Sequence, residues 1–244
     1  MAIAVDASLT ADSFSAELFR LVWGQDRVGV PTAVDHAYEY IWKLIIVGTL
    51  KEGQRLTDVA LAEDMRLSRT PIRHALDRLV QDGLIHSDPR RGYWVRVFAA
   101  QDVHEIYDVR GSLEVLALRL AAPHLDAADL AAQLDALRAV RARLAEHPLA
   151  LFMQSDFTLH NLLIHASANG RLIRILAALR SQFSVFQVRD ASYLPRIETA
   201  LDDHERILHH LVAGEIEPAA DALAVHIAHA KAGVLADLFD RANE

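Results

Sequence analysis

TDVALAEDMRLSRTPIRHALDRLVQDGLI, residues 57–85, is the stretch whose reading decides the fold. Thr57 is placed to cap a short helix that carries Val59, Leu61 and Ala62, because its hydroxyl can accept a hydrogen bond from an otherwise orphaned N–H of the first turn. A tight turn at Arg66–Leu67 follows, and Ser68 stands as a second N-cap. The spacing then predicts a helix over Arg69–Asp82, with Ile72, Ala75, Leu76 and Leu79 on its inward face. Pro71 falls in the first turn of that helix, where a missing N–H costs little, and Gly83 closes it. Arg69 and Arg73 are four residues apart and share the opposite face with Thr70. Two short helices joined by a three-residue turn, the second with an apolar side and a basic side, form the pattern of a helix-turn-helix.

The flanks extend it. Upstream, Asp35–Val47 is predicted helical, with Tyr38, Ile41, Trp42 and Ile45 on one face and Gly48 as its end. Downstream, Leu84–Ser87 and Tyr93–Phe98 are predicted strands around the turn Asp88–Gly92, which puts Arg90 and Arg91 at the tip of a wing. Residues 34–98 thus form a predicted winged helix-turn-helix DNA-binding domain. Its candidate DNA contacts are Arg66, Ser68, Arg69, Thr70, Arg73, Arg90 and Arg91. Arginine can bond guanine through a pair of N–H groups, hydroxyls serve phosphate or base, and the N–H groups at the Ser68 end favour a phosphate. The bland alternative, arginines that only solvate a helix face, does not account for the preceding helix, the turn and the hairpin together. Residues 1–33 are a separate N-terminal extension, with one possible helix over Ser13–Trp23 broken by residues 24–31.

Bulk properties fit such a protein. Of 244 residues, 52% are apolar and 7% aromatic, and none is cysteine, which excludes a disulfide framework and thiolate metal sites. No run of about 18 apolar residues is present to span a membrane, and the first thirty residues lack the basic start of a secretory signal. A soluble, cytoplasmic protein without a membrane partner is expected. The net charge of −8 is spread as −2 over residues 1–33, +1 over 34–98 and −7 over 99–244, and residues 66–91 hold six Arg against three acids. A local basic stripe is what phosphate contact needs.

Several of these segments also carry a family resemblance: Glu52-Gly-Gln-Arg-Leu56, Leu61-Ala-Glu63, Ser68-Arg-Thr-Pro-Ile-Arg73-His-Ala-Leu76 and Asp82-Gly-Leu84. Together they resemble the GntR family of winged-helix regulators. The resemblance implies that Ser-Arg-Thr-Pro-x-Arg opens the recognition helix, so that Arg69, Thr70 and Arg73 meet bases and phosphates. Two positions depart from the family pattern: Val59 stands where an arginine often touches DNA, and Arg66 fills a turn position usually held by glycine.

From Gln101 onward the pattern is helical. Six segments, near 102–122, 126–146, 149–168, 171–190, 194–213 and 217–241, are separated by Pro123, Pro148, Gly170, Pro195, Gly214 and Pro218. The fold class expected is therefore mainly α: an N-terminal winged helix-turn-helix, then an all-α six-helix bundle over 99–244. Polar residues interrupt the inward stripes of this bundle. Asp156 and His160 lie with Leu159 and Leu163; His204 lies with Ile207, Leu208 and Leu211; His226 lies with Leu223, Ile227, Ala230 and Val234. Each buried polar group left without a partner costs about 1–3 kcal/mol. A shared divalent cation would satisfy all four, with Asp156 and His160 one helical turn apart on one face. Separately hydrogen-bonded core histidines are the alternative, and His229 is the substitute ligand if the last helix is rotated.

The same region resembles the FCD ligand-binding domain of the FadR branch of GntR regulators. The resemblance rests on Asp108-Val-Arg110-x3-Glu114, Asp156-x3-His160 with Asn169 beyond it, Asp203-His204-Glu205-Arg-Ile207-Leu208 and Ala224-Val-His226-Ile227. It implies that Asp156, His160, His204 and His226 bind a divalent metal that helps hold a carboxylate effector, and six helices point to the VanR-like subgroup. Zinc, nickel or manganese suits such ligands. Arg110 shares a stripe with Ile106, Leu113, Ala117 and Leu120, and a buried guanidinium is matched by a carboxylate. Either the effector or Glu114, one turn on, can supply that carboxylate. Asn169 and Arg189 are further candidates for the effector pocket.

The function expected is a homodimeric repressor on an inverted-repeat double-stranded DNA operator, controlled by a small carboxylate at the metal site. The rivals are a DNA-binding protein whose metal is only structural, and a metal-dependent hydrolase. No general base beside the metal ligands supports the hydrolase, so the chain is not expected to be an enzyme.

Overall fold

The computed structural model describes residues 30–144, 148–190 and 194–236, with the side chains of 148–150, 187–190 and 194–195 outside the description. The helix expected over Ser13–Trp23 lies outside the described residues, as does the side chain of Arg189. The described residues form two compact units: 30–99 with 178–185, and 100–177 with 186–236.

The first unit holds α1 (Ala33–Ile46), β1 (Arg55–Leu56), α2 (Asp58–Met65), α3 (Arg69–Gln81), β2 (Ile85–Asp88) and β3 (Gly92–Val95). α1 begins two residues before the sequence expectation. Asp35 is not its cap but the third helical residue of a capping box: Thr32 Oγ1 accepts from Asp35 N at 3.2 Å, and Thr32 N donates to Asp35 Oδ2 at 3.0 Å. Tyr38, Ile41, Trp42 and Ile45 face inward as the periodicity requires, and so do Ile72, Ala75, Leu76 and Leu79 of α3. The indole N–H of Trp42 donates to Ser181 Oγ at 3.3 Å, which removes a buried orphan donor.

The sheet is antiparallel in the order β1-β3-β2, with Arg55 opposite Trp94 and Asp88 opposite Gly92. The hairpin turn is held by Asp88, whose Oδ1 accepts from the N–H groups of Arg90 at 2.7 Å and Arg91 at 3.1 Å. β1 is absent from the sequence expectation, and β3 ends at Val95 rather than Phe98.

The second unit is built from α4 (Ala100–Ala121), α5 (Ala127–Arg143), α6 (Pro148–Ala166), α7 (Gly170–Asp190), α8 (Leu194–Val212) and α9 (Ile216–Leu235). Residues 178–185 of α7 group with the first unit instead. α9 packs along α4 and α8, and α6 packs on α4, α5 and α8. Leu130, Leu134 and Leu137 of α5 and Leu159 and Leu163 of α6 are buried here. The stripe expected on α4 is corrected at one end: Leu120 is 37% exposed, and Leu118 and Ala121 take the buried positions. A 3.6-residue repeat drifts round a long helix, so a stripe extrapolated over fourteen residues leaves the interior.

Arg66 ends α2 in the left-handed region, at φ 54° and ψ 38°. A side chain there is crowded by its own backbone by about 1–2 kcal/mol, and glycine escapes that penalty at some entropic cost in the unfolded chain. Arg66→Gly is therefore expected to raise the unfolding free energy by about 0.5–1 kcal/mol, read from the midpoint of denaturant unfolding. A lowered midpoint would mean that the Arg66 side chain contributes more than its backbone costs.

Candidate functional site

α2, α3 and the wing line a groove of about 430 Å³ in the first unit, into which Arg55, Arg69, Arg73, Arg90 and Arg91 bring positive charge. Arg69 and Arg73 are 60% and 63% exposed. Ser68 sits at the N-cap of α3 in extended conformation, yet its side chain makes no capping hydrogen bond, so the hydroxyl is not consumed by the helix. Thr70 is exposed on the first turn, and Arg66 stands in the turn before it. Asp58 also faces the groove. Its Oδ2 accepts from Arg69 Nη2 at 2.9 Å and Nε at 3.2 Å, and Arg73 Nε lies 3.7 Å away. That contact spans eleven residues and has no signature in the sequence spacing.

In the second unit, three helices converge on one cluster of four buried polar groups. α6 supplies Asp156 and His160, α8 supplies His204, α9 supplies His226, and all four are buried. His226 Nε2 lies 3.2 Å from His160 Nε2 and 3.3 Å from His204 Nε2. Asp156 Oδ1 lies 3.4 Å from Nε2 of both His160 and His204, and 3.8 Å from that of His226. Donors bound at about 2.1 Å to one first-row divalent ion stand about 3.0–3.5 Å apart. The four residues that the sequence singles out thus present one ligand atom each, at separations that suit a single ion. His229 does not join them; its side chain is half exposed and its Nδ1–H donates to Asp203 Oδ2 at 2.7 Å.

The surroundings orient the imidazoles. His160 Nδ1 bonds to Glu114 Oε2, which directs Nε2 to the cluster. Glu114 Oε1 accepts from Arg110 Nε at 2.6 Å, and Arg110 Nη2 lies 3.4 Å from His160 Nε2. Glu114 is therefore both Arg110's ion-pair partner and His160's anchor, and the second of these roles is not visible from spacing. Asp203 Oδ2 lies 3.8 Å from His226 Nδ1, beyond hydrogen-bond reach but close enough to favour a proton there. His204 Nδ1 is buried without a hydrogen-bond partner among the described residues.

The charge states follow from burial and neighbours. Burial pushes His226 down to about 3, reinforced by His204, and burial likewise lowers His204. Burial also opposes charge on His160, but the carboxylates of Glu114 and Asp156 outweigh it and hold this imidazole up at about 9. Asp156 stays ionised despite its burial, because His160 and His204 keep its carboxyl well below the usual range. Burial pushes Glu114 up too, yet Arg110 and His160 hold it at about 2.

A cavity of about 260 Å³ adjoins the cluster. Arg110, Asp156 and His226 border it on one side, and Tyr107, Phe152, Ile197 and Ala200 contribute a largely apolar wall. Asn169 is not part of it. Its Oδ1 accepts from Arg171 N and Leu172 N, both at 3.2 Å, so this side chain caps α7, and its expected place in the pocket is corrected on that ground.

Metal uptake by this cluster would have a defined proton balance. His160 alone carries an extra proton at pH 7, held on the face that a metal would occupy, while His204 and His226 are neutral and Asp156 is ionised. Binding one divalent ion at pH 7 is expected to release about one proton, measured by titration calorimetry in buffers of different ionisation enthalpy. Because the His160 pKa is raised, proton competition acts below pH 9: apparent affinity should fall about tenfold per pH unit from there towards neutrality, and release should vanish well above pH 9. Zero release at pH 7 would contradict the protonated His160.

Comparison with known proteins identifies both domains. Residues 33–95 match the model of the bacterial regulatory proteins of the gntR family, and residues 105–229 match that of the FCD domain. The HTH-type transcriptional regulator YdhC of Bacillus subtilis is 30% identical over 195 residues, covering 79% of this chain and 86% of that protein. A probable D-xylose utilization operon transcriptional repressor of Paenarthrobacter nicotinovorans is 30% identical over 200 residues, 81% of this chain and 86% of its own length. Among solved structures, E. coli McbR/YncC shares the fold with a TM-score of 0.68 at 21% identity, covering 82% of this chain and 95% of that one. The chain belongs to the GntR family of bacterial regulatory proteins and carries an FCD domain, which makes it a transcriptional regulator with a DNA-binding helix-turn-helix.

Proposed function

We propose that this regulator is a repressor that binds an inverted-repeat operator as a homodimer and is controlled by a small monocarboxylate held at a divalent metal. On this reading residues 34–98 read DNA, 99–244 sense the effector, and 1–33 are an appended segment. Asp156, His160, His204 and His226 hold the metal. Arg69, Thr70 and Arg73 meet the operator, with Arg66, Ser68, Arg90 and Arg91 on the flanking phosphates. The relative from Paenarthrobacter nicotinovorans, named as a probable repressor, supports the direction of control.

Charge balance inside the bundle carries the effector reading. Without metal, Arg110 and protonated His160 offset Glu114 and Asp156, and Arg206, 3.2 Å from Asp203, offsets that carboxylate, so the buried cluster is neutral. A divalent ion adds two charges and expels about one proton, which leaves one uncompensated positive charge in a site nearly closed to water. Buried unpaired charge is costly. One carboxylate restores neutrality, and the adjoining cavity has room for it. An engineered cavity of about 150 Å³ accommodates benzene, so about 260 Å³ suits an acid of modest size with an apolar body. When bound, the metal supplies positive charge to carboxylate oxygens; Arg110 supplies directed N–H groups from the cavity wall.

One observation favours a rival. Arg110 already pairs with Glu114 at 2.6 Å, as a structural salt bridge would, and the metal would then only brace the bundle.

Metal analysis combined with thermal melting separates the two. One equivalent of divalent metal is expected, and certain monocarboxylates should raise the melting temperature of the metal-loaded protein while their neutral amides do not. A ligand at one hundred times its Kd adds about 2.7 kcal/mol, which is ample to detect. The same acids should lower operator affinity in a gel shift. Melting that responds to metal but to no acid would leave the structural reading standing. His204→Ala and His226→Ala should each lose the metal; full occupancy in both would remove them as ligands. Arg69→Ala and Arg73→Ala should weaken operator binding with melting unchanged, each by about 1–3 kcal/mol. Unchanged binding would overturn the assignment of this helix face.

A further inference from the structure

We propose that Asp58 is a specificity-determining residue of the DNA-reading face: it holds Arg69 in a fixed orientation and suppresses binding to DNA of arbitrary sequence. Five arginines, Arg55, Arg69, Arg73, Arg90 and Arg91, and two acids line the groove. Asp88 is taken up by the backbone N–H groups of the wing, whereas Asp58 puts a carboxylate beside the arginines, where it would oppose phosphate. An acid in the first turn of α2 has an ordinary explanation in the helix dipole, but that explanation does not require the side chain to engage α3. It does engage it. Asp58 Oδ2 receives both Nη2 and Nε of Arg69, at 2.9 and 3.2 Å, and lies 3.7 Å from Nε of Arg73. The carboxylate itself is 17% exposed, whereas the two guanidinium side chains are 60% and 63% exposed. The acid is therefore tucked beneath the two arginines.

Two consequences follow from that placement. A guanidinium presents five N–H groups in a rigid plane. Asp58 occupies the Nε–Nη2 side of Arg69, which leaves the Nη1–Nη2 end to make the paired hydrogen bonds that recognise guanine. A long side chain that would otherwise sample many rotamers is thus set for one kind of contact. The second consequence concerns DNA of any sequence. Non-specific affinity comes from phosphate neutralisation and counterion release, in proportion to the positive charge that the face can bring to the backbone. A carboxylate bonded to one arginine and close to another reduces that charge. Specific contact keeps its geometry while indiscriminate contact loses strength, so the ratio between them rises.

The test is fluorescence anisotropy of the full-length chain with two probes. One is a duplex selected by the wild-type protein from a random-sequence pool; the other is a mixed-sequence duplex of equal length. Both are titrated at salt concentrations from about 50 to 200 mM. In Asp58→Asn, affinity for the mixed-sequence duplex should rise about five- to tenfold, with a steeper dependence on salt. Affinity for the selected duplex should stay level or fall, so that the specificity ratio drops about tenfold. Asp58→Glu, which restores the carboxylate, should recover most of the ratio. Melting temperature serves as the control for folding. An unchanged ratio in Asp58→Asn at wild-type melting temperature overturns the proposal, and so does a loss that Asp58→Glu fails to recover. The proposal rests on Arg69 and Arg73 meeting DNA. Arg69→Ala, run beside these variants, tells the two failures apart: if it weakens binding while Asp58→Asn does nothing, the face is right and the role of Asp58 is wrong.

Discussion

The polar heart of the helical unit is arranged around one constraint: Asp156 is an ionised carboxylate buried inside the bundle. A lone charge in that position is unaffordable, so the neighbouring helices each deliver a compensating group. α6 returns His160 one turn later, α8 brings His204, α9 brings His226, and α4 brings Arg110 with Glu114 as its counter-charge. Each of these groups sits on a stripe that is otherwise leucine, isoleucine, valine or alanine. The packing faces of four helices are therefore fixed twice, by apolar contact and by the need to close the polar cluster. A helix rotated by one residue would leave a buried polar group without its partner as well as a leucine exposed.

The winged helix solves the opposite problem. Its charges are outside, where water screens them and a single pair contributes little. Stability there comes from the buried faces of α1 and α3, around Tyr38, Trp42, Leu76 and Leu79, and from caps such as Thr32 with Asp35. What the exposed charges decide is orientation. Asp58 against Arg69, and Asp88 against the backbone of Arg90 and Arg91, hold the basic groups of the groove in place.

Periodicity and capping carried most of the architecture into the sequence. The inward residues of α1, α3, α6, α8 and α9 were readable because each helix keeps a 3.6-residue stripe over only two or three turns. The four cluster residues were readable for the same reason, as polar interruptions of those stripes. What escaped has a common cause, since each missed feature is a tertiary pairing without a local period. β1 is two residues long and exists only because Arg55 and Leu56 pair with Trp94 and Tyr93. Glu114 anchors His160 across 46 positions of sequence, and Asp58 reaches Arg69 across eleven. A polar residue near the cluster in sequence invites a binding role for Asn169, whereas its position directly before α7 makes it a cap. A stripe extended too far along α4 puts Leu120 inside, whereas it is exposed.

Charge balance also sets the relation between metal and acid on the proposed reading. The metal-free cluster is neutral, so a carboxylate entering it alone would bring uncompensated negative charge beside Glu114 and Asp156. A divalent ion entering alone leaves the cluster positive by about one charge. Each ligand thus removes the charge that opposes the other, and the two must bind with positive cooperativity. Thermodynamic linkage makes that cooperativity reciprocal: the acid tightens metal binding by the same factor by which the metal tightens acid binding. Control of the operator then depends on how differently the loaded and unloaded clusters fit the conformations the bundle can adopt, because a ligand shifts a conformational equilibrium only by its differential affinity. A cluster that four helices close from four directions is well suited to that task. Its ligands touch α4, α6, α8 and α9 at once, so any rearrangement of those helices must change how well metal and acid are held.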